Sequence, residues 1–287
     1  CINTSTWGID MKKPFGSSVH NFLLSLSTSV GICLILSQFF LIGCSSEVHN
    51  KTHKVIRMDH IVDLTHTLTR DFPFIPVKKL TYPFELVPMA TLEKNGVAAN
   101  SWRIHEHLGT HVDAPNHFIA GQLSVDKIPL VDLIVPLAII DIEAKAAVNK
   151  DFQLSVNDIE DYERDFGRIP DNACVVMYSG WEKKINDSTF IGLDINMVKH
   201  FPGFSNKAIR FLLDERKIAG IGVDVISFDP GTDENYSGHK ILFEKGKWGV
   251  ENVANLGMVP KSGATIIVGA PKVGDGTGGF SRIIALW

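Results

Sequence analysis

Apolar residues fall in short runs, and the character of the runs changes along the chain. Runs of strand type, rich in Val and Ile and bounded by Gly, Pro, Asn or Asp, are predicted at residues 61–68, 98–107, 135–142, 173–179, 220–225, 265–269 and 283–286. Two segments switch to helical spacing. The first opens at Ser155, which caps a helix together with Asp158 three residues on, and stops near Gly167. The second covers residues 206–217, with Ile209, Leu212 and Leu213 on one face. Helices alternate with strands only in the second half, while the first half is strand-rich. The pattern predicts an α/β fold with a mixed sheet, and no linker divides residues 59–287, so they are read as one domain.

The N-terminal residues do not share this pattern. A basic start at Met11-Lys12-Lys13 leads through a polar stretch to an apolar run from Val30 to Ile42, as in an export signal. That run is shorter than the roughly 20 residues a helix needs to cross a bilayer core, so cleavage is expected. The end of the run, Leu41-Ile42-Gly43-Cys44, resembles the lipobox of bacterial lipoproteins. The resemblance implies cleavage before Cys44 and acylation of its thiol. The exported chain would then be lipid-anchored on the periplasmic or cell-surface side of a bacterial membrane. Ser45 and Ser46, in place of Asp, imply onward transport to an outer membrane where the cell has one. An uncleaved signal anchor is the alternative. Residues 1–10 are read as upstream translation before the initiator Met11, residues 11–43 as the signal and residues 44–58 as a polar tether.

Composition narrows the function. The 287 residues are 45% hydrophobic and 21% charged, which excludes a disordered tail, a collagen-like fibre or a coiled coil. A net charge of −4 gives no reason to approach a phosphate backbone, so no nucleic-acid partner is expected. Four cysteines are too few for a disulfide scaffold, and after cleavage and acylation only Cys174 would be a free thiol. It sits in an apolar strand-like run, where a buried inert thiol is the default.

The chemistry concentrates in residues 102–117. Four of the 11 histidines, His105, His107, His111 and His117, lie there around Asp113. Such a density of imidazole is unfavourable in an apolar interior unless the groups share a ligand, and a metal is the simplest one. Position 108 is Leu where an H-E-x-x-H protease needs Glu, and Gly109 and Pro115 oppose a helix. On a strand, four residues span roughly 13 Å, too far for His107 and His111 to meet on one ion. A bend at Leu108-Gly109-Thr110 is therefore predicted, so that His107, His111 and Asp113 converge. Two imidazoles and one carboxylate leave coordination positions open, as hydrolytic metal sites require.

The run His107-Leu108-Gly109-Thr110-His111-Val112-Asp113-Ala114-Pro115-Asn116-His117 matches the H-x-G-T-H-x-D-x-P-x-H motif. Through it the chain resembles the cyclase family, which contains bacterial kynurenine formamidases and isatin hydrolases. Shorter matches accompany it: Asp63-Leu64-Thr65-His66, Ser179-Gly180-Trp181, Gly222-Val223-Asp224, and Gly278 with Ser281-Arg282. The resemblance implies a mixed α/β domain with a partly barrel-like sheet and flanking helices, forming a homodimer or larger homo-oligomer. It implies His107, His111 and Asp113 as metal ligands, Asp113 bridging to a second ion held with His239 and Glu251, and His117 as general acid/base. One or two divalent ions per chain are expected, zinc first and manganese as the alternative.

The implied activity is hydrolysis of an amide-type C–N bond in a small aryl amide or lactam. N-formylkynurenine, the substrate of an arylformamidase, comes first. The alternatives are opening of a cyclic amide or lactone, as by isatin hydrolase, and a metal-dependent binding lipoprotein without turnover. An exported enzyme would not readily meet a cytoplasmic metabolite, so the export signal departs from the formamidase pattern. Other residues stay open between two roles. His105 reads as packing or as a support beside the ligands, Trp181, Phe72 and Phe74 as aryl-pocket walls or core, and Asp224 as a support for a ligand histidine or a polar strand end.

Overall fold

A computed structural model describes residues 60–287. The expected export signal, Cys44 and tether lie outside these residues. Among the described residues no helix is long and apolar enough to cross a membrane.

Among the described residues thirteen strands occur: β1 (Ile61–Asp63), β2 (Glu85–Ala90), β3 (Ala99–Arg103), β4 (His111–Asp113), β5 (Ile134–Asp141), β6 (Gln153–Leu154), β7 (Cys174–Tyr178), β8 (Gly203–Phe204), β9 (Gly220–Val223), β10 (Trp248–Glu251), β11 (Ala264–Gly269), β12 (Gly278–Phe280) and β13 (Arg282–Leu286). The helices are α1 (Leu92–Asn95), α2 (Glu143–Val148), α3 (Val156–Phe166), α4 (Asn206–Glu215) and α5 (Ser237–Glu244). Nine strands form one sheet in the order β1-β13-β11-β5-β7-β9-β10-β4-β12, curled into a half-barrel. The pairs β5–β7, β7–β9 and β9–β10 are parallel, and the flanking pairs are antiparallel. The mixed α/β single domain read from the sequence is the fold observed.

The unbroken apolar runs sit at the sheet centre because parallel strands there are covered on both faces. Alternation sorts their side chains. Ala138, Ile140, Val175, Met177, Ile221 and Val223 pack in one core with residues of α3, α4 and α5. Leu137, Ile139, Val176 and Val250 face the other core, with Ile266, Val268, Ile283 and Ala285. Cys174 is buried in this second layer, and burial pushes its thiol up, as expected for an inert cysteine.

Both predicted helices form. Ser155 Oγ accepts from the Asp158 N–H, and the Asp158 carboxylate accepts from the Ser155 N–H at 2.7 Å, completing a capping box at α3. Two predicted strands are much shorter than the apolar runs. The run from residue 61 leaves its ladder after Asp63, when Thr65 bridges to Val253 instead. The run from residue 98 ends at Arg103, ahead of the turn that carries the histidines.

Candidate metal centre

The bend expected at Leu108-Gly109-Thr110 is present. Gly109 has φ +76°, a left-handed conformation that disfavours a side chain. Beyond it the chain enters β4, where alternation sends His111 and Asp113 to one side and Val112 into the core. Antiparallel pairing with β10 sets Glu251 directly opposite His111. On the other flank Gly278 of β12 lies opposite Asp113. A Cβ at Gly278 would come 2.7 Å from His107 Cε1, so this glycine makes room for the His107 ring. His239 arrives on α5, and His117 ends a short 3-10 turn, Pro115–His117.

These six residues meet. His107 Nδ1 lies 2.6 Å and His111 Nε2 3.1 Å from Asp113 Oδ1, while His239 Nε2 lies 3.4 Å from Asp113 Oδ2. Glu251 completes the group, Oε2 being 3.5 Å from His111 Nε2 and Oε1 3.3 Å from His239 Nε2. His117 stacks on His107 with centroids 3.7 Å apart. Two overlapping donor sets result, His107, Asp113 and His117 in one and His111, Asp113 and Glu251 in the other, each within 4.8 Å. They share Asp113, as two neighbouring ion positions would.

Three supporting groups decide which imidazole nitrogen faces the centre. The Gly109 carbonyl accepts from His111 Nδ1 at 2.9 Å, which leaves Nε2 pointing at the carboxylates. The Asp229 carboxylate accepts from His239 Nδ1, again leaving Nε2 inward. At His107, Thr277 Oγ1 donates to Glu106 and so accepts from Nε2 at 3.0 Å, and Nδ1 is turned to Asp113. Asp229, Thr277 and Glu106 escaped the sequence reading. Asp229 sits in Phe228-Asp229-Pro230-Gly231, where an acidic residue between an aromatic and a Pro-Gly turn was the only signal.

The electrostatics ask for a cation. No Lys or Arg among the described residues pairs with Asp113, Asp229 or Glu251. Burial acts to lower His111, but Asp113 and Glu251 lift it to about 9. His239 rises well above its ordinary range because Asp113, Asp229 and Glu251 outweigh burial. Burial acts to raise Asp113, yet His111 and His107 hold it well below the usual carboxylate range, whereas burial and Asp113 push Glu251 up. His117 responds oppositely. Burial holds it at about 3 against the pull of Asp113, with His107, His239 and His111 adding to the fall.

A divalent ion fits this donor set. His111 Nε2 is buried and has no hydrogen-bond partner, although carboxylate oxygens lie 3.1 and 3.5 Å away: the distances are short but the directions do not make a bond. Inward nitrogens with fixed tautomers beside two carboxylates are metal donors by chemistry.

The donors line a cavity of about 130 Å³ walled by Phe74, Phe118, Tyr236 and Ile226. A larger cleft of about 560 Å³, lined by His66, Phe72 and Ile185 among others, contains none of the donor cluster. Phe74 thus reaches the cavity, while Phe72 belongs to a small core with Phe84 and Leu108. Trp181 is core: it is buried, and its Nε1 donates to Phe190 O at 2.8 Å. Asp224 supports no histidine. It accepts from Ser179 N and Oγ at 3.0 and 2.6 Å, and burial pushes it up to about 6. His105 packs edge-on against Phe74 and Tyr82.

The fold and the site define a half-barrel α/β protein with a buried imidazole–carboxylate centre. Known proteins share this fold. Residues 62–230 match the family described as "Putative cyclase". An isatin hydrolase of Roseibium aggregatum is 31% identical over 79% of this chain and 91% of its own length. A kynurenine formamidase of Bacillus cereus is 26% identical over 67% and 81%. The solved structure of isatin hydrolase A from Labrenzia aggregata, bound to benzyl benzoate, has a TM-score of 0.75 at 35% identity, covering 79% of this chain and 93% of that one. The chain belongs to the cyclase family.

Proposed function

We propose that the protein is a metal-dependent hydrolase of an amide-type C–N bond in a small aryl substrate, with a cyclic amide of the isatin kind as the leading substrate. One observation carries this reading. Three imidazoles, His111 and His239 buried and His107 half-buried, are each oriented by their own partner and turn a nitrogen toward two carboxylates that no Lys or Arg among the described residues neutralises. His107, His111, Asp113, His239 and Glu251 would hold one or two divalent ions, zinc or manganese suiting the donors. A bound ion would supply a Lewis acid and bring water toward ionisation near neutral pH.

The chain's own residues do the rest. Phe74, Phe118 and Tyr236 form an apolar wall for an aromatic ring and limit water around the scissile bond. His117, on the cavity wall beside Asp113, whose charge favours the protonated imidazole, removes a proton from attacking water and returns it to the leaving nitrogen as the C–N bond breaks. Carbon gains an oxygen, nitrogen gains a proton, and the net reaction is hydrolysis.

The ring-opening reading is supported by relatives named isatin hydrolase, more similar to this chain than the kynurenine formamidases are. Cleavage of an N-formyl arylamine is the second reading, favoured by those formamidases. The test is a panel of isatin and N-formyl arylamines with metal-free and metal-restored protein. Metal-dependent opening of isatin is expected; cleavage of formamides alone would select the second reading, and no cleavage at all would overturn both.

A further inference from the structure

Asn252 follows the candidate ligand Glu251 and lines the same cavity, buried to 2% exposure. Its φ is +53°, a left-handed conformation in which Asn is among the few tolerated side chains. Three of its four polar groups are tied down. The N–H donates to Val225 O at 2.9 Å, the C=O accepts from Thr110 Oγ1 at 2.5 Å, and Nδ2 donates to Gly109 O at 2.9 Å. Because Gly109 O can only accept, the last bond fixes which end of the side-chain amide is oxygen. That oxygen, Oδ1, is buried without a partner, and so is Ser227 Oγ, which lines the same cavity.

A buried acceptor left unpaired is unfavourable, and its rigid mounting prevents it from turning to a protein donor. Oδ1 has no hydrogen to give, so whatever satisfies it must be a donor. The hydroxyl of Ser227 can rotate to donate or accept.

We infer that Asn252 is a specificity-determining residue that accepts the N–H of the substrate's own amide, with Ser227 binding a neighbouring substrate oxygen. The inference rests on the amide-hydrolase reading above and narrows its substrate class to secondary amides: lactams and N-formyl arylamines with a free N–H. N-alkylated amides and esters present no hydrogen here, and a site built around such a bond discriminates strongly against analogues lacking it.

Equilibrium binding to the metal-loaded protein tests this apart from turnover, using oxindole, a lactam with a free N–H but without the adjacent ketone that activates the isatin carbonyl toward attack, and N-methyloxindole, with chromatography checking that both ligands stay intact. Wild type is expected to bind oxindole at least about 10-fold more tightly. Asn252→Gly, which tolerates the left-handed backbone, is expected to bring that ratio close to one. Ser227→Ala is expected to weaken both ligands by the same factor, about 3- to 10-fold, and keep the ratio. Equal binding of the two ligands by wild type, no binding of oxindole, or a ratio unchanged in Asn252→Gly would overturn the inference. Preserved N–H selectivity in a protein that cleaves neither isatin nor formanilide would sink the hydrolase reading while leaving the role of Asn252 standing.

Discussion

At the scale of single residues, the site depends on groups that hold its donors in place. Asp113 Oδ1 takes His107 and His111 on one side and Oδ2 faces His239 on the other, so its position couples both donor sets. The orientation of each imidazole is delegated outward, to Gly109 O, Asp229 and the Glu106–Thr277 pair. Thr277→Val removes the acceptor for His107 Nε2 while keeping side-chain volume. Metal affinity, read by competition with a chromophoric chelator, is expected to fall about 10- to 100-fold. An unchanged affinity would mean that packing alone orients the ring. His117→Ala should behave differently, keeping the bound metal but lowering kcat for amide hydrolysis by about 100- to 10,000-fold. Loss of metal from that variant would make His117 a ligand, as its place in one donor set also allows.

At the scale of elements, the legible parts were those with local signals. The capping box at Ser155 and Asp158 and the one-sided apolar spacing of α4 were readable from a few neighbouring residues, as was the bend that Gly109 imposes before β4. Strands of three residues, such as β4 and β12, are too short to show a period, and their pairing is created by long-range register. Helix α5 hid behind an opening of Ser-Gly-His that lacks an apolar stripe. Asp229, Thr277 and Glu106 were invisible for the same reason: each acts on a histidine brought close only by folding. Trp181 and Asp224 illustrate the converse, since residues at a strand end could be read as site or as core, and folding directs them to the core and to a backbone turn. Two changes test the elements. Ser155→Ala is expected to lower stability by about 1 kcal/mol in urea unfolding, leaving metal binding intact. Gly278→Ala, whose Cβ would meet Val112 O and the His107 ring, is expected to displace His107 and weaken metal binding; a variant with wild-type affinity would show that β12 yields instead.

At the scale of the whole molecule, the curled sheet keeps its chemistry at one end, where β4, β10 and α5 meet. The β2–β3 hairpin belongs to a separate two-stranded sheet and exposes Leu86, Val87, Met89 and Trp102. A two-stranded hairpin with an exposed apolar surface is poorly stable alone, and we propose that it is covered in the homo-oligomer that the family resemblance implies. Light scattering is expected to find a dimer or larger assembly, and Trp102→Glu to shift it toward monomer; a monomeric wild type would contradict this. Export and acylation at Cys44 are proposals carried by the lipobox-like residues alone. Cys44→Ala is expected to release the protein from bacterial membranes.

The most direct measurement is titration of zinc and of manganese into metal-free protein, for wild type and for His111→Ala and Asp113→Ala, with circular dichroism confirming that each variant is folded. Saturable binding of one or two ions per chain, abolished or strongly weakened in both folded variants, is the expected result. Wild type that binds neither ion, or variants that bind as wild type does, would contradict the metal centre and the hydrolysis built on it.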